Sequence, residues 1–362
     1  MQLDSSVGPA GGYISAMHIA VILPRWVGDA VMATPLLRGI KSHFGSRARV
    51  TGVMRPVVAD LFDGTGWLDA HVFYDRHGRN RDHTFSASAR ALRRDRPDIA
   101  LVLPNSLSSA ALAFAGRARR RVGHVGHRRR WLLTDVVRPR RAEAIVPPPV
   151  AFMEIAEAIG VPRGSLDMEL AVDAGMQARG DEVLAGLFPG RGGPLVILND
   201  NSSNGTARTW GIDNHAALAR WLVDRVPDVR VLVHCGPADR EQARAVVDRA
   251  ASPGVRGLAD VADLPLGLSK AVYARADAAV SSDSGPRHIA AGFRIPTVAL
   301  LGPTVPQSGR SDPERCVEIR RDLTCSPCDR GECPLGHHDC MKLIGVEEVG
   351  AATLAALGRR SP

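Results

Sequence analysis

The chain has 362 residues, 45% of them hydrophobic and 23% charged, and its formal net charge is +8. This length and composition are typical of a globular protein with two domains, and they exclude a fibrous or wholly disordered chain. Every apolar run is shorter than the roughly 18 residues that a membrane-spanning helix needs.

The first sixteen residues lack the basic start and the long apolar core of a secretory signal. We therefore predict that residues 1–16 form a disordered extension and that the fold begins near Met17. Without a signal or a spanning segment, the chain is predicted to be cytoplasmic.

Apolar segments alternate with helical patterns from residue 17 onward. In the first half we predict strands over residues 18–23, 49–54 and 97–103, and helices over residues 30–44, 108–115 and 151–160. A cluster of Gly and Pro at residues 189–194 separates this series from a second one. There we predict strands over residues 195–198, 230–234, 278–281 and 297–301, and helices over residues 214–226, 238–250 and 287–293. Such alternation predicts α/β domains with parallel sheets, and ligands at the carboxyl ends of the strands.

The simplest partition is two domains. We assign residues 17–173 to the first, 174–193 to a linker region, 194–345 to the second, and 346–362 to a C-terminal helix and tail.

Basic charge is concentrated in residues 116–141, which contain ten Arg and a single acid, Asp135. A local basic segment indicates an anionic partner, such as a phosphorylated ligand, an acidic membrane surface or nucleic acid. With only three Tyr and eight Phe in the chain, and no interleaving with basic residues, we expect no nucleic acid partner. The alternative is a solvated basic surface.

Gly28 and Asp29 follow the first predicted strand. Gly28 permits close approach to the backbone, and Asp29 can serve either as the N-cap of the next helix or as a general base. The residues alone favour the cap.

Two further turns suit anions. Residues 201–210 are small and polar and then include Arg208, whose guanidinium can bind phosphate through a bidentate fork; the alternative is a surface loop packed on Trp210. Residues 282–288 combine a capping Ser or Asp, Gly285 and Pro286 at a helix start, which suits anion binding; the alternative is an ordinary turn between a strand and a helix. His288, at the same helix start, is by itself more often structural than catalytic.

Four of the six cysteines lie within sixteen residues, at Cys325, Cys328, Cys333 and Cys340. Their spacing suits a tetrahedral thiolate site for structural Zn or Fe, with two His nearby as spare ligands. Free thiols in a compact turn are the alternative, and a cytoplasmic location argues against disulfides.

Together and in this order, these segments resemble glycosyltransferase family 9, the ADP-heptose:lipopolysaccharide heptosyltransferases, and are most similar to its heptosyltransferase II branch. The matching segments are GD at 28–29, TPLL at 34–37, LVLPNS at 101–106, WLLTD at 131–135, GTARTW at 205–210, DSGPRH at 283–288 and GPT at 302–304. The cysteine run also resembles one found in members of that branch.

The resemblance implies a GT-B fold, in which two Rossmann-like, doubly wound domains face a central cleft. It implies inverting transfer of L-glycero-D-manno-heptose from ADP-heptose to a hydroxyl of the phosphorylated lipopolysaccharide inner core. The acceptor would bind the N-terminal domain and the donor the C-terminal one. Asp29 would be the general base, and catalysis would require no cofactor. The protein would contact the inner face of the inner membrane peripherally.

The resemblance also implies the binding residues. Donor-binding residues would be Arg208, Asp283, Ser284, Gly285, Pro286 and His288. Acceptor-side residues would be Gly28, Asn105 and Ser106. Because the basic segment lies in the acceptor half, we also expect Arg128, Arg129 and Arg130 to engage the phosphorylated acceptor or the acidic membrane.

The chain departs from the family pattern at the donor site. Arg208 stands where members have Lys, Thr209 where they have Arg, and Arg287 where they have Met. Residues 262–264 read ADL, where many members have a Gly-Lys-Thr turn near the nucleotide. These departures leave the base and the sugar of the donor open. Two alternatives are kept: transfer to a protein or metabolite acceptor, because similar enzymes heptosylate bacterial surface proteins, and a non-catalytic nucleotide-sugar-binding protein, against which Asp29 argues.

Overall fold

The computed structural model describes residues 17–126, 128–138, 146–200, 205–305 and 315–359. The predicted extension at residues 1–16 lies outside the described residues. So do residues 201–204 of the predicted phosphate loop, residues 127 and 139–141 of the basic segment and the last three residues of the predicted tail.

The predicted alternation builds two parallel sheets of six strands each in the described chain. The first sheet comprises β1 Met17–Ile22, β2 Ala48–Met54, β3 Ala70–Phe73, β4 Ile99–Val102, β5 Arg120–His124 and β6 Asp135–Val137. The second comprises β7 Leu195–Asn199, β8 Arg230–Val233, β9 Val255–Gly257, β10 Ala278–Ser282, β11 Thr297–Leu301 and β12 Cys316–Arg320. Their strand orders are β3-β2-β1-β4-β5-β6 and β12-β11-β10-β7-β8-β9, which is the same doubly wound order twice.

Helices cover both sheets. With the first sheet lie α1 Val27–Met32, α2 Thr34–Phe44, α3 Pro56–Ala59, α4 Phe85–Asp95, α5 Leu107–Ala115 and α6 Pro148–Glu157. With the second lie α7 Ala174–Leu187, α8 Ile212–Arg225, α9 Arg240–Ala250, α10 Leu266–Tyr273, α11 Gly285–Gly292, α12 Asp339–Lys342 and α13 Val346–Leu357. Helix α7, which occupies the predicted linker region, packs against α10, and the C-terminal helix α13 packs against α8.

The central strands are buried on both faces, as their continuous apolar sequences predict. In β1, Ile19 lies opposite Val50 of β2 and Ile99 of β4. Ile19 and Val21 join one hydrophobic core, whereas Ala20 and Ile22 join a second core on the other face of the sheet. Alternate residues of one strand thus hold helices against opposite faces.

The helix predicted over residues 30–44 is divided in two at Ala33. Pro35 has no amide hydrogen to donate, and its ring clashes with the carbonyl four residues earlier in a continuous helix. The Thr34 hydroxyl donates instead to the Val31 carbonyl at 2.8 Å. The short helix α1 is consequently a separate element, set at the end of β1.

Helices α1 and α11 join the two halves of the chain. A Cβ atom on Gly28 would lie 2.6 Å from Cδ2 of His288, and one on Gly285 would lie 3.1 Å from Cβ of Val27. Glycine at both positions allows this close approach. Because α1 follows β1 and α11 follows β10, the contact brings the carboxyl ends of the two sheets together.

Among the described residues, no helix combines the length and the apolar character that crossing a bilayer would demand.

Candidate active site

Each sheet reverses its strand order once, between β1 and β4 in the first and between β7 and β10 in the second. Ligands of doubly wound sheets bind in the crevice at such a reversal, beyond the carboxyl ends of the strands. The segments that follow these four strands contain Asp29, Asn105, Arg208 and Ser284. The topology therefore gathers side chains predicted to act on the acceptor and on the donor.

Asp29 lies in the first turn of α1, whose N-cap is Trp26, so the N-cap role favoured from the residues alone is wrong. Its carboxyl group is largely buried. Burial, and then the negative charge of Asp283 across the cleft, raise its pKa above the ordinary value of 3.8. A carboxylate with a raised pKa is a stronger base and is better suited to accept a proton.

A cavity of about 460 Å³ opens beside Asp29 in the first half of the chain. Its lining includes Asn105 and Phe152, together with Trp26, over whose ring the Arg25 guanidinium lies at 4.6 Å from the centroid. The cavity therefore offers a cation, an amide and apolar surface around the Asp29 carboxylate, and Glu154 adds a second carboxylate to its lining. This combination suits a polar ligand with a hydroxyl to deprotonate.

The other residues predicted on the acceptor side are not in the lining of this cavity. Gly28 packs against His288, and Ser106 is the N-cap of α5, where its hydroxyl accepts from the Ser109 amide at 3.2 Å. Arg128 and Arg130 are exposed.

Arg129, predicted as an acceptor contact, is instead fully buried. Its guanidinium donates to the carbonyl of Pro104 and, at 2.9 Å, to the carbonyl of His124. Burial lowers its pKa to about 10. Arg129 therefore connects the segment after β4 to the end of β5 through hydrogen bonds. Without them, these carbonyls would be buried with no donor.

On the donor side, Asp283 lies between two arginines. Its carboxylate is 3.1 Å from Nη1 of Arg287 and 3.5 Å from Nη1 of Arg208. Nη2 of Arg208 also donates to Asp329 at 3.2 Å, and its buried Nε has no hydrogen-bond partner among the described residues. Asp283, predicted to bind the donor, is thus placed to orient the guanidinium groups at the site.

Ser284 is the N-cap of α11, and Pro286 lies in the first turn of that helix. In the described chain the Ser284 side chain makes no capping bond to α11; its hydroxyl accepts instead from Nδ2 of Asn199 at 3.0 Å. Pro286 has no amide hydrogen and the Arg287 amide donates to the Ser284 carbonyl at 3.2 Å, so the Gly285 amide is the one left for another acceptor in the first turn. A helix N-terminus attracts anions.

His288 is buried where α11 meets α1. Burial, and then the positive charge of Arg287, lower its pKa to about 4. A neutral imidazole in the contact between the two halves supports the structural interpretation of this residue over direct donor binding.

The four clustered cysteines line one cavity of about 20 Å³, together with His337 and His338. Burial, and then the neighbouring Cys328, Cys333 and Cys325, raise the pKa of Cys340. Across the described ranges, however, no three His, Cys, Asp or Glu side chains are arranged to hold a metal ion.

The cysteine loop (residues 321–338) packs against the turn that contains Arg208, a relation that sequence reasoning missed. The Gly331 carbonyl accepts from the Ala207 amide at 3.0 Å, and Nε2 of His338 lies 2.6 Å from the Ala207 carbonyl. With the Asp329 bond to Arg208, these contacts hold the guanidinium at the cleft. The partners lie more than 120 residues apart in sequence, so no local pattern indicates them.

Comparison with known proteins identifies related chains. The family model described as glycosyltransferase family 9 (heptosyltransferase) matches residues 86–338. Lipooligosaccharide heptosyltransferase 2 of Campylobacter jejuni is 24% identical, over 92% of this chain and 97% of its own. Lipooligosaccharide heptosyltransferase 2 of Haemophilus ducreyi is 29% identical, over 90% of this chain and 95% of its own.

A solved structure, that of ADP-heptose lps heptosyltransferase II from E. coli, superimposes with a TM-score of 0.78 at 25% identity. The match covers 95% of this chain and 99% of that one. It confirms the predicted GT-B fold, with two doubly wound units around a cleft.

Proposed function

The chain belongs to glycosyltransferase family 9, the family that its sequence resembles, and we propose that it is an inverting heptosyltransferase of lipopolysaccharide core assembly. Its donor would be ADP-heptose and its acceptor a hydroxyl of the inner core. One observation carries this proposal: Asp29, beside a cavity in the first half, faces Asp283 at the N-terminus of α11 in the second half, and the Asp283 carboxylate lies 3.5 Å from Arg208. The heptosyltransferase 2 relatives, which match along almost the whole chain, support it.

The reaction is a single displacement. The Asp29 carboxylate accepts the proton of the acceptor hydroxyl while the acceptor oxygen attacks the anomeric carbon. The bond from that carbon to the β-phosphate oxygen breaks, and ADP leaves with the electron pair. Because attack and departure occur on opposite faces of the carbon, its configuration inverts.

The departing phosphate is stabilised by fixed positive charge. The Gly285 amide of α11, the Ser284 hydroxyl and the Arg208 guanidinium lie near the end of β10, where the phosphate would lie. Donors held before the reaction stabilise a developing anion without reorganisation. These groups supply the charge that a divalent cation supplies in other transferases.

The pKa of Asp29 predicts the acidic limb of the pH profile. Asp29 acts only when deprotonated, so kcat/KM falls as pH drops through its raised pKa, at a pH above 3.8. In Asp283→Asn the neighbouring negative charge is gone, and we expect the limb to move to lower pH. Since burial is the larger cause, the limb should stay above 3.8. Initial rates between pH 4 and 8 measure the shift; an unmoved limb would contradict this assignment.

Product analysis with a panel of ADP- and GDP-sugars and a deep-core lipid acceptor tests the proposed function. We expect transfer from ADP-heptose to the lipid. Transfer only to a protein or small-molecule acceptor would support the second candidate. Donor binding with no turnover by either the wild type or Asp29→Ala would support a binding protein.

We also propose that the enzyme works at the cytoplasmic face of the inner membrane, where its basic-aromatic patch contacts anionic lipid. This patch comprises Leu107, Phe114, Arg128, Arg130 and Trp131. Leu107 and Phe114 share a face of α5 and are about half exposed, and Trp131 is 72% exposed.

One arginine lies between the helix of this patch and the segment that contains Trp131. The Arg121 guanidinium lies 5.4 Å from the Phe114 ring centroid, and its Nε donates to the carbonyl of Leu132, next to Trp131. Exposed aromatic rings beside arginines suit the boundary of an acidic bilayer.

Replacing Arg128 and Arg130 by Ser should weaken binding to vesicles that contain anionic lipid. At about 1 kcal/mol per arginine, the partition coefficient should fall about thirtyfold at low salt and little at high salt. Arg244→Ser with Arg249→Ser, on α9 of the other half, is the matched control. Equal sedimentation of all three proteins with vesicles would overturn the membrane contact. Arg129 is left intact because it is buried.

We further propose that the cysteine cluster binds a structural Zn or Fe ion. Four thiols surround a cavity of about 20 Å³, which is near the size of one water molecule. Thiolates are the ligands that both metals prefer in tetrahedral sites. Since the thiols are not in ligating positions, the loop must close around the ion.

Metal analysis of protein purified without added metal tests this site. We expect close to one equivalent of Zn or Fe, lost in Cys328→Ser together with Cys333→Ser. Cys235→Ser, at a buried thiol outside the cluster, is the control. Less than about a tenth of an equivalent in the wild type would exclude the site.

A further inference from the structure

A buried chain of hydrogen bonds connects α10 to the N-terminus of α11. The Ser269 hydroxyl lies 2.9 Å from Nε2 of His234, and Nδ1 of His234 lies 3.1 Å from Oδ1 of Asn199. Nδ2 of Asn199 then donates to the Ser284 hydroxyl at 3.0 Å. Asn199, His234 and Ser269 are all buried, so water does not compete with these side chains for the hydrogen bonds between them.

The direction of these bonds follows from Ser281. Its hydroxyl donates its single hydrogen to the Ser282 carbonyl at 2.8 Å, so toward Asn199, 3.3 Å away, it can only accept. The Asn199 amide must therefore turn its NH2 group toward Ser281 and Ser284. Its oxygen then faces His234 and can only accept.

The imidazole is fixed in turn. To donate to the Asn199 oxygen, His234 must carry its proton on Nδ1, and Nε2 then accepts from the Ser269 hydroxyl. Each hydrogen that Ser269, His234 and Asn199 donate along this series of hydrogen bonds thus has one acceptor. This arrangement holds one tautomer and one amide orientation.

The consequence falls on Ser284. Because its oxygen accepts from Asn199, its own hydrogen remains to be donated. Among the described residues, the hydroxyl donates to the Ser282 carbonyl at 3.4 Å, a distance that is long for an O–H donor and makes this bond weak. The hydroxyl hydrogen is therefore available to a ligand at the N-terminus of α11.

We propose that Asn199 and His234 are positioning residues that direct the Ser284 hydroxyl toward the β-phosphate oxygen of the departing nucleotide. The inference rests on the proposed function. Neither residue touches the reacting atoms; both set the direction of a hydrogen bond before the donor binds, and such preorganisation lowers the barrier for a developing anion.

A double-mutant cycle tests the coupling. We expect Ser284→Ala to lower kcat by about 100-fold and His234→Leu by about tenfold, with the KM for ADP-heptose changed less than kcat. The double variant should be no slower than Ser284→Ala alone, because His234 acts through Ser284. His234→Asn, which can still donate to Asn199, should recover most of the activity. If the kcat losses of the two single variants multiplied in the double variant, the proposal would be overturned. The same holds if His234→Leu lowered the melting temperature and left kcat unchanged.

Nitrogen-15 NMR of the wild-type protein provides an independent measurement, which does not depend on variants that fold. We expect His234 to be neutral with its proton on Nδ1. A proton on Nε2 would overturn the proposed bond direction. Absence of heptose transfer by the wild type would instead contradict the proposed function, and the tautomer would still test the bond direction.

Discussion

Replacing Asp29 by Asn should lower kcat by about 10²- to 10⁴-fold, because the amide has the same shape but cannot accept the acceptor proton. Affinity for ADP-heptose should stay close to that of the wild type, since Asp29 lines the cavity of the first half. Steady-state rates and calorimetric titration with ADP-heptose measure the two quantities separately.

Asp82→Asn is the matched control, because Asp82 is an exposed carboxylate of the same half. It should leave kcat within about twofold of the wild type. If Asp29→Asn also retained wild-type kcat, the proton would be accepted elsewhere and the assignment of the base would be wrong.

Replacing Arg208 by Ala should lower kcat by about 10²- to 10³-fold, with weaker binding of ADP. The guanidinium is held by Asp283 and Asp329 at the end of β10, where the β-phosphate would gain charge. Arg208→Lys keeps the charge but loses the planar fork, so an intermediate loss is expected.

Asp329→Asn tests how Arg208 is held, separately from its charge. The variant weakens one of the two carboxylate contacts of Arg208 and keeps the arginine itself. We expect a loss smaller than that of Arg208→Ala. If Arg208→Ala turned over ADP-heptose at the wild-type rate, leaving-group stabilisation would have to come from α11 alone.

The central strands were predictable because strands buried on both faces have continuous apolar sequences. The predicted strand at residues 297–301 coincides with β11, and the one at 195–198 falls one residue short of β7. The strand β5 was missed because it starts with two arginines at the basic segment, where hydrophobic patterning fails.

The site was predictable only in part. Asp29 and Ser284 follow strands at the two reversals of strand order, so their meeting follows from topology. Arg129 looked like its exposed neighbours in sequence, and only the carbonyls that surround it reveal its structural role. The Asn199–His234–Ser284 chain joins three separated segments, and no spacing rule connects them.

The anomeric configuration of the transferred heptose, determined by NMR of the isolated product, tests the central claim most directly. A single displacement with Asp29 as base predicts the configuration opposite to that of ADP-heptose. A product that retained the donor configuration would contradict this mechanism, because retention requires two displacements or attack from the leaving-group side.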